Sequence, residues 1–342
     1  MEIPVLQIPA NEMNAVFQSV LLKNGLQKNK AGVCAEIFTS NSVDGVYTHG
    51  VNRFPRFIEY IQKGYINTDA EPSLQHKSGG MEQWNGNLGP GILNAIQATT
   101  TATKLSQEYG IGCVALSNTN HWMRGGNYGW QAAKAGYVFI GWTNTIANMP
   151  AWGAADARLG NNPLVIAIPY KDEAIVLDMA MSQFSFGAME KAILDNKELS
   201  QYGGYNFEGN LTTNPSEIIA TRRSLPVGYW KGAGLSLLLD LLAAVLSGGS
   251  ATHDITKKEA EHGVSQIFIA IALSKLQNYK SINTIIAGII DDYCQSVPVD
   301  EKSRIVYPGE KVLETRKRNL VEGVPVCKKV WNEILNLNQP IL

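Results

Sequence analysis

Helical and strand patterns alternate through the middle of the chain, and this alternation constrains the fold more than any other feature. Helical spacing of apolar residues over 94–109 stops at Gly110, and a short apolar strand pattern follows over 112–116. A second helical segment, 129–135, is again followed by a strand pattern, 137–142. Further strands are predicted over 164–168, 174–179 and 264–272. Strands that alternate with helices in this way predict an α/β body.

Both ends of the chain carry helical patterns instead. Helices are predicted over 11–22, 29–42 and 56–63 near the N-terminus, and over 282–294 and 326–335 near the C-terminus. Each has an apolar face to bury, so we expect a helical subdomain built from both chain ends beside the α/β body. The predicted segments are an N-terminal helical segment, 1–75, an α/β body, 76–275, and a mainly helical C-terminal segment, 276–342, that packs against the first.

The composition argues against several classes of partner. Of the 342 residues 45% are hydrophobic and 17% charged, and the formal net charge is -1, so nothing attracts the chain to nucleic acid or to an anionic membrane. The longest apolar stretch, 235–246, contains Asp240 and is shorter than the ~20 residues of a membrane span. We expect it to be a buried helix, and we expect neither nucleic acid nor a membrane as a partner.

The cysteines and the first residues indicate the compartment. Cys34, Cys113, Cys294 and Cys327 lie far apart and form no CxxC pair. They are expected to be reduced, buried packing residues. Residues 1–10 lack the basic region and apolar core of a signal peptide. Both observations predict a cytoplasmic protein.

One segment formally matches the dinucleotide-binding fingerprint. Residues 110–115, GIGCVA, satisfy the pattern GxGxxA. That pattern binds a pyrophosphate only where it follows a strand and opens a helix, because the amides of the helix N-terminus hold the phosphates. Here a helix precedes the glycines and a strand follows them. We therefore interpret the segment as a helix end and expect no Rossmann fold.

A second glycine-containing segment is a better candidate for phosphate binding. Lys231 precedes Gly232 and Gly234, which open a long apolar helix, and Arg222 and Arg223 lie just upstream. Free amides at the positive end of a helix, with a nearby cation, suit an anion. A tight loop that packs the helix against a sheet explains the same residues equally well, so both interpretations stay open.

Two turns at strand ends concentrate polar residues. Residues 118–126 follow the strand 112–116 and include His121, and residues 160–163 include Asn161. Ligand sites of α/β proteins are common at the carboxyl ends of strands. Asparagine is also frequent in turns for conformational reasons, so Asn161 alone does not identify a site.

His49 has surroundings that suit acid–base chemistry. It lies where one helical pattern ends and the next begins, with Arg53 four residues later. If the second helix begins near Gly50, the two side chains share one side of its first turn. An imidazole beside a guanidinium suits a substrate that carries both a carbonyl and a carboxylate. A histidine that merely caps a helix fits the pattern as well.

Two other kinds of enzyme site lack their motifs. The sequence has no HExxH motif and no closely spaced His/Cys set, so no metal is expected. It also has no GxSxG motif, which argues against the serine nucleophile of an α/β-hydrolase. These absences narrow the enzyme classes without choosing one.

The segment around His49 carries a resemblance to a known family. Residues 45–58, GVYTHGVNRFPRFI, resemble the active-site segment of the malate/L-lactate dehydrogenase-like oxidoreductases. Motifs at 120–133, 225–234 and 265–271 extend the resemblance over nearly the whole chain, and Thr48 keeps the hydroxyl of the serine expected at its position. The resemblance implies a non-Rossmann α/β fold that binds a nicotinamide cofactor, and a homodimer whose active sites lie between domains.

The resemblance also implies roles for individual residues. His49 corresponds to the acid–base residue, Asp178 to the carboxylate that orients it, and Arg53 to the ligand of the substrate carboxylate. Thr48 and His121 are further candidates for substrate contact. The expected cofactor-binding residues are Ala174, Ile175, Val176, Leu177, Asp178, Met179, Ala180, Trp230, Lys231, Gly309, Glu310 and Lys311. The expected cofactor is NAD, with NADH preferred over NADPH.

The reaction implied by the resemblance is the reduction of a small 2-oxo acid, and more narrowly of a 2-oxo sugar acid. Hydride comes from the cofactor and His49 gives the proton. Two alternatives stay open. One is a malate, L-lactate or ureidoglycolate dehydrogenase, and the other is a non-catalytic nucleotide-binding protein. The complete set of His49, Arg53 and Asp178 argues against the second alternative.

Overall fold

The structure is a computed structural model that describes residues 5–301 and 303–338. Residues 1–4, 302 and 339–342 lie outside it, so parts of the predicted segments 1–75 and 276–342, and of the stretch 1–10, are outside the described residues. The helices α1 to α12 of the described part are Ala10–Lys23, Lys28–Val43, Phe54–Gln62, Gly91–Tyr109, Gly126–Lys134, Phe186–Leu194, Pro215–Thr221, Trp230–Ser247, Thr252–Thr256, Ile282–Cys294, Glu310–Glu322 and Lys328–Leu337. Its strands β1 to β13 are Val5–Ile8, Ser73–Ser78, Met81–Asn85, Ile111–Thr119, Tyr137–Thr143, Ala147–Pro150, Ala157–Gly160, Leu164–Tyr170, Glu173–Met179, Gly204–Tyr205, Leu211–Thr212, Val264–Ala272 and Val324–Cys327.

A mixed sheet of seven strands forms the body. The strand order is β2-β3-β4-β12-β5-β8-β9, with the buried β12 in the middle. In the described residues β3 and β4 run parallel, and the other neighbouring pairs of this sheet are antiparallel. A Rossmann fold is instead built on a mostly parallel sheet. The predicted fold class, an α/β protein without a Rossmann fold, is confirmed.

The glycines of the fingerprint-like segment serve helix and strand packing. Gly110 ends α4 with φ of 85°, a backbone conformation that glycine adopts readily. A Cβ atom at Gly112 would collide with the carbonyl oxygen of Ala102, so this glycine lets α4 lie close to β4. The order is helix and then strand, as the sequence predicts.

The two ends of the chain build one helical layer. Strand β1 pairs antiparallel with β13, with Ile8 opposite Val324. Helices α1, α2, α3 and α12 enclose a buried cluster in which the rings of Phe17 and Phe54 stack with centroids 4.2 Å apart. The expected subdomain from both chain ends is therefore present. The predicted helix over 326–335 begins later, at Lys328, because Val324–Cys327 pair with β1 as a strand.

The long apolar helix α8 is not buried as expected. Its inner face packs against β12 and β5, and the Trp142 indole nitrogen donates to the Leu239 carbonyl over 3.0 Å. Its outer face is open: Leu238 is 55% exposed and Val245 72%. By length and mean hydropathy, 1.4, Trp230–Ser247 could cross a membrane, a test that core helices also pass. The prediction of a buried helix is wrong for the outer face. Within the described residues only the inner face of α8 has neighbouring elements to pack against.

The cysteines differ from one another in burial. All four are free thiols. Cys34 is buried, and desolvation raises its pKa to about 12, so it stays protonated. Cys294 is exposed on α10, so the expectation of a buried packing residue is wrong there.

Candidate active site

A cavity of about 830 Å³ lies between the helical layer and the sheet. This volume falls in the upper part of the ~300–1,000 Å³ range of small-molecule sites. One side, called the helical wall here, carries Thr48, His49, Arg53, Arg56 and Tyr60. The opposite side, called the sheet wall, carries Thr145, Asn148, Asn161, Val176, Leu177, Asp178 and Ala180. Further lining residues include His121, Glu190, Arg222, Glu261 and Gly309.

The backbone around His49 is held by the end of α2. Tyr47–His49 form a single 3₁₀ turn, and Asn41 Nδ2 donates to the His49 carbonyl over 2.8 Å. The Val51 amide donates to Ser42 Oγ over 2.8 Å, and a Cβ atom at Gly50 would collide with that hydroxyl. Gly50 therefore allows the turn that carries His49 to pack closely against the end of α2. The helix predicted over 56–63 begins at Phe54, so the start near Gly50 that would place His49 and Arg53 in one helical turn does not occur.

The His49 imidazole is neutral in this cavity. Its Nδ1 lies 3.2 Å from Thr48 Oγ1, and its ring stacks on His121 with centroids 5.6 Å apart. Desolvation, followed by the charges of Arg53 and Arg124, lowers the pKa of His49 to about 3. A neutral imidazole can accept a proton, and it can donate one only after its pKa rises.

His121 has a defined tautomer. The Met123 amide donates to His121 Nδ1 over 2.9 Å, so the ring proton lies on Nε2. Desolvation and Arg53 hold the pKa of His121 well below its usual value. The ring is therefore a neutral hydrogen-bond donor in the cavity, next to His49.

Two arginines near His49 differ in how their charge is balanced. Arg124 is buried and forms an ion pair with Asp44 at 2.5 Å, and Arg316 contacts the same carboxylate at 2.6 Å. Arg53 forms no ion pair with any residue of the described part of the chain, and desolvation lowers its pKa. Its guanidinium is thus available for an anionic group of a ligand.

Asp178 lies at the end of β9, across the cavity from the helical wall. Its Oδ2 accepts a hydrogen bond from the Gly126 amide over 2.8 Å. Desolvation raises the pKa of Asp178, and Arg124 opposes that rise. Among the described contacts no hydrogen bond joins Asp178 to His49, whose Nδ1 faces Thr48 instead. The orienting role of Asp178 stays a prediction.

The predicted cofactor-binding residues are only partly brought together. Val176, Leu177, Asp178, Ala180 and Gly309 line the cavity. The segment 308–311, a turn that leads into the first residues of α11, lies against the outer edge of the sheet, where the Val176 amide donates to the Pro308 carbonyl over 3.1 Å. The remaining predicted residues, Ala174, Ile175, Met179, Trp230, Lys231, Glu310 and Lys311, are not among those lining the cavity.

These residues fit a nicotinamide cofactor in two respects. Strand β9 is the last strand of the sheet, so its outer edge offers backbone groups to a ligand. Gly309 has φ of 92°, and a Cβ atom there would lie 3.3 Å from the Val176 amide nitrogen and carbonyl oxygen. A side chain at position 309 would therefore crowd the edge where the cofactor is expected.

Sequence reasoning missed several residues of the cavity. Arg124 stands inside the motif at 120–133 but received no role, and neither did its ion-pair partner Asp44, which directly precedes the segment 45–58 and lies outside the cavity lining. Asn148, Glu190 and Glu261 come from separate segments, and no local motif marks them. Only the three-dimensional arrangement brings them to the same cavity.

Comparison with known proteins places this chain in a family. The chain matches the malate/L-lactate dehydrogenase family over residues 8–335. It is 43% identical to the 2,3-diketo-L-gulonate reductases of Klebsiella pneumoniae (strain 342) and of Escherichia coli O6:K15:H31 (strain 536 / UPEC), over 96% of this chain and 99% of each relative.

Solved structures agree with this comparison. The malate dehydrogenase from Entamoeba histolytica has a TM-score of 0.93 at 24% identity and covers 99% of both chains. The malate dehydrogenase from Pyrococcus horikoshii OT3 has a TM-score of 0.88 at 27% identity, over 97% of this chain and 94% of that one. The match over almost the full length of the chain, in sequence and in fold, means that this protein is an oxidoreductase that belongs to the malate/L-lactate dehydrogenase family.

Proposed function

We propose that this enzyme reduces a 2-oxo sugar acid, 2,3-diketo-L-gulonate, to 3-dehydro-L-gulonate with NADH. The observation that carries the proposal is the neutral His49 beside the unpaired Arg53, in one cavity with the β9 edge. The names of the relatives at 43% identity support the choice of substrate. The cofactor, when bound, supplies the hydride.

Arg53 and His49 divide the recognition of the 2-oxo acid. Arg53 binds the carboxylate with two parallel hydrogen bonds and so positions the neighbouring carbonyl. His49 gives a proton to the carbonyl oxygen as negative charge develops there. His121 Nε2–H and Thr48 Oγ1 are neutral groups that can donate hydrogen bonds to the same end of the substrate.

The proton on His49 depends on the bound substrate. Desolvation, together with the charges of Arg53 and Arg124, keeps the pKa of His49 at about 3 when no substrate is bound. A carboxylate on Arg53 compensates one of these cationic charges, so the pKa rises when substrate binds. In the reverse direction, oxidation of the alcohol, the neutral imidazole is already the required base.

A screen of NADH oxidation tests the proposal. The substrates are 2,3-diketo-L-gulonate, oxaloacetate and pyruvate, each with NADH and with NADPH, and ureidoglycolate is tested with NAD⁺ in the oxidative direction. We expect the largest kcat/KM for 2,3-diketo-L-gulonate with NADH. A preference for oxaloacetate, pyruvate or ureidoglycolate would favour the malate, L-lactate or ureidoglycolate alternative, which the malate dehydrogenase folds support. No turnover with any of them, although NADH binds, would favour a non-catalytic protein.

We further propose that the enzyme is a cytoplasmic homodimer that uses the outer face of α8 as its interface. That face carries Leu235, Leu238, Leu241, Leu242 and Val245, each at least 40% exposed. Apolar patches of this kind mark association sites. Light scattering should give the mass of two chains, and Leu238→Glu should give one. A protein that needs detergent to stay in solution would contradict the cytoplasmic assignment.

A further inference from the structure

Two asparagines on the sheet wall have no part in the roles given above. Asn148 lies in β6, and Asn161 follows β7, which pairs with β6. Both side chains line the cavity that holds His49 and Arg53. Asn148 is 7% exposed, so its amide group is almost entirely removed from solvent.

The hydrogen bonds of this pair leave one donor and one acceptor unused. Asn161 Oδ1 accepts from Asn148 Nδ2 over 3.0 Å and from Thr145 Oγ1 over 3.0 Å. Asn148 Oδ1 is buried and has no partner. The side-chain hydrogen bonds of Asn161 within the described ranges involve only its Oδ1, so its Nδ2 is an unused donor. Rotating both side-chain amides by 180° exchanges the oxygen and nitrogen of each asparagine. The pair then again has one unused donor and one unused acceptor.

The backbone holds both residues in place. The Met181 amide donates to the Asn161 carbonyl over 2.8 Å, and the Ser224 amide donates to the Asn148 carbonyl over 3.3 Å. The pair therefore lies where the end of β9 meets the segment that leads into α8. A fixed donor and acceptor in a cavity wall select a ligand that can pair with both.

We propose that Asn148 and Asn161 bind hydroxyl groups of the sugar acid beyond its 2-oxo acid end. This inference rests on the proposed function. A hydroxyl group both donates and accepts, so neighbouring hydroxyls satisfy the two unused amide atoms. The carboxamide and ribose hydroxyls of the cofactor have the same chemistry, and the experiment below separates the two sources. A 2-oxo acid without hydroxyls leaves the pair unsatisfied, which makes it a poorer ligand.

Asn148→Leu tests the proposal, because leucine has a similar volume and no hydrogen-bonding group. We expect KM for 2,3-diketo-L-gulonate to rise roughly tenfold, the loss of about one good hydrogen bond. KM for pyruvate and the Kd of NADH, from a fluorescence titration without substrate, should not change. The thermal midpoint should change little, because the lost bond from Asn148 Nδ2 is offset by removal of a buried acceptor that has no partner, and Asn161 Oδ1 keeps its bond from Thr145 Oγ1. Asn161→Ala removes the donor and is the second variant if leucine does not fit.

Ser224→Ala is the matched control. Ser224 is fully buried, its Oγ also has no partner, and it neighbours Asn148, but it is not among the residues that line the cavity. We expect its KM and Kd values to equal those of the wild type. A rise in KM for 2,3-diketo-L-gulonate in Ser224→Ala as large as in Asn148→Leu would overturn the proposal, because the effect would then come from altered packing.

The remaining outcomes also decide the question. Weaker NADH binding, with equal rises in KM for 2,3-diketo-L-gulonate and for pyruvate, would mean that the two asparagines bind the cofactor. That result would overturn the proposal that they bind hydroxyl groups of the sugar acid. Unchanged constants in both asparagine variants would overturn any ligand role. Wild-type protein that reduces neither acid contradicts the proposed function itself, and the NADH titration alone then decides whether the pair binds a ligand.

Discussion

The two walls of the cavity differ in charge and in construction. The helical wall presents His49 together with two arginines, Arg53 and Arg56, and neither arginine forms an ion pair with a residue that the structure describes. It comes from one short stretch of chain. The sheet wall presents the β9 edge, the neutral amides of Asn148 and Asn161, and one carboxylate, Asp178. It is assembled from several segments that are distant in sequence.

This difference suggests a division of tasks. A cationic wall next to an imidazole suits an anionic, reactive group, because it binds the carboxylate and controls the proton. A wall of amides and backbone groups suits neutral, polar surfaces such as hydroxyls and a cofactor edge. Variants on the helical wall should therefore change the chemical step most, and variants on the sheet wall should change binding and pH dependence.

His49→Ala is expected to have the largest effect. Removing the proton donor should lower kcat by about 10²–10⁴-fold, while NADH binding and the thermal midpoint stay close to wild type. Steady-state kinetics and a fluorescence titration measure the two quantities. His76→Ala, on the exposed strand β2, is the control and should not alter kcat. A kcat for His49→Ala within about threefold of wild type, far below the usual contribution of acid catalysis, would exclude His49 as the acid.

Asp44→Asn should destabilise the contact between the end of α2, in the helical layer, and the segment after β4 that carries Arg124. Asp44 is the counter-ion of buried Arg124 and of Arg316, and both it and Arg124 have side chains only 4% exposed. Removing one partner leaves a buried charge uncompensated, so the free energy of unfolding should fall by about 3–5 kcal/mol. Urea unfolding monitored by fluorescence measures this loss. Arg158 and Asp156 form an exposed pair, so Asp156→Asn should change stability by less than about 1 kcal/mol. Similar losses in both variants would mean that Asp44 does not stabilise the fold by compensating the charge of buried Arg124.

Arg53→Lys should separate charge from geometry on the helical wall. Lysine keeps the positive charge but cannot form two parallel hydrogen bonds with a carboxylate. We expect kcat/KM to fall about tenfold to a hundredfold, the value of one charge-assisted hydrogen bond. Arg318→Lys, on the exposed side of α11, should have wild-type kinetics. An unchanged kcat/KM in Arg53→Lys would mean that another group holds the carboxylate.

The helical wall was the easier wall to predict from the sequence. His49 and Arg53 stand four residues apart at a break between helical patterns, and both lie in the cavity. Periodicity also predicted several of the long elements closely, such as 94–109 for Gly91–Tyr109 and 282–294 for Ile282–Cys294, but not the short strands and helices. The spacing of apolar residues predicts such helices because each helix forms within one continuous stretch of sequence. The catalytic roles of these residues stay predictions.

The sheet wall and the surface of α8 could not be predicted in the same way. Asn148 lies in the short strand β6 and Glu190 in helix α6, and both reach the cavity only through tertiary packing, which no local pattern encodes. The sequence of α8 is apolar on every side, and its inner leucines cannot be told from its outer ones without the sheet beneath them. Burial was therefore predicted for the whole helix, although only one face has a partner within the described chain.

Asp178→Asn should affect the pH profile more than the maximum rate. A carboxylate in the cavity offsets the arginines and so raises the pKa of His49. Ketone reduction needs protonated His49, so its rate falls as the pH rises through that pKa. Loss of the carboxylate should move this falling limb to lower pH by roughly one unit. At a fixed pH on the limb, the rate of ketone reduction should then be about tenfold lower. An unmoved limb would mean that Asp178 does not influence His49, in keeping with its observed bond to Gly126.

Lys231→Ala is expected to have the smallest effect, and it tests how far the cofactor extends beyond the sheet wall. Lys231 is exposed in the first turn of α8 and is not among the residues that line the cavity. We expect the pyrophosphate near this helix N-terminus, where free amides, the glycines and the lysine charge act together. An exposed ion pair is worth about 0.2–1 kcal/mol, so the Kd of NADH should rise roughly twofold to fivefold, while kcat at saturating cofactor stays nearly constant. Lys104→Ala, on the exposed side of α4, is the control. Phosphate groups found beside residues 110–115 in a structure with NADH would contradict both this site and the interpretation of that segment as a helix end.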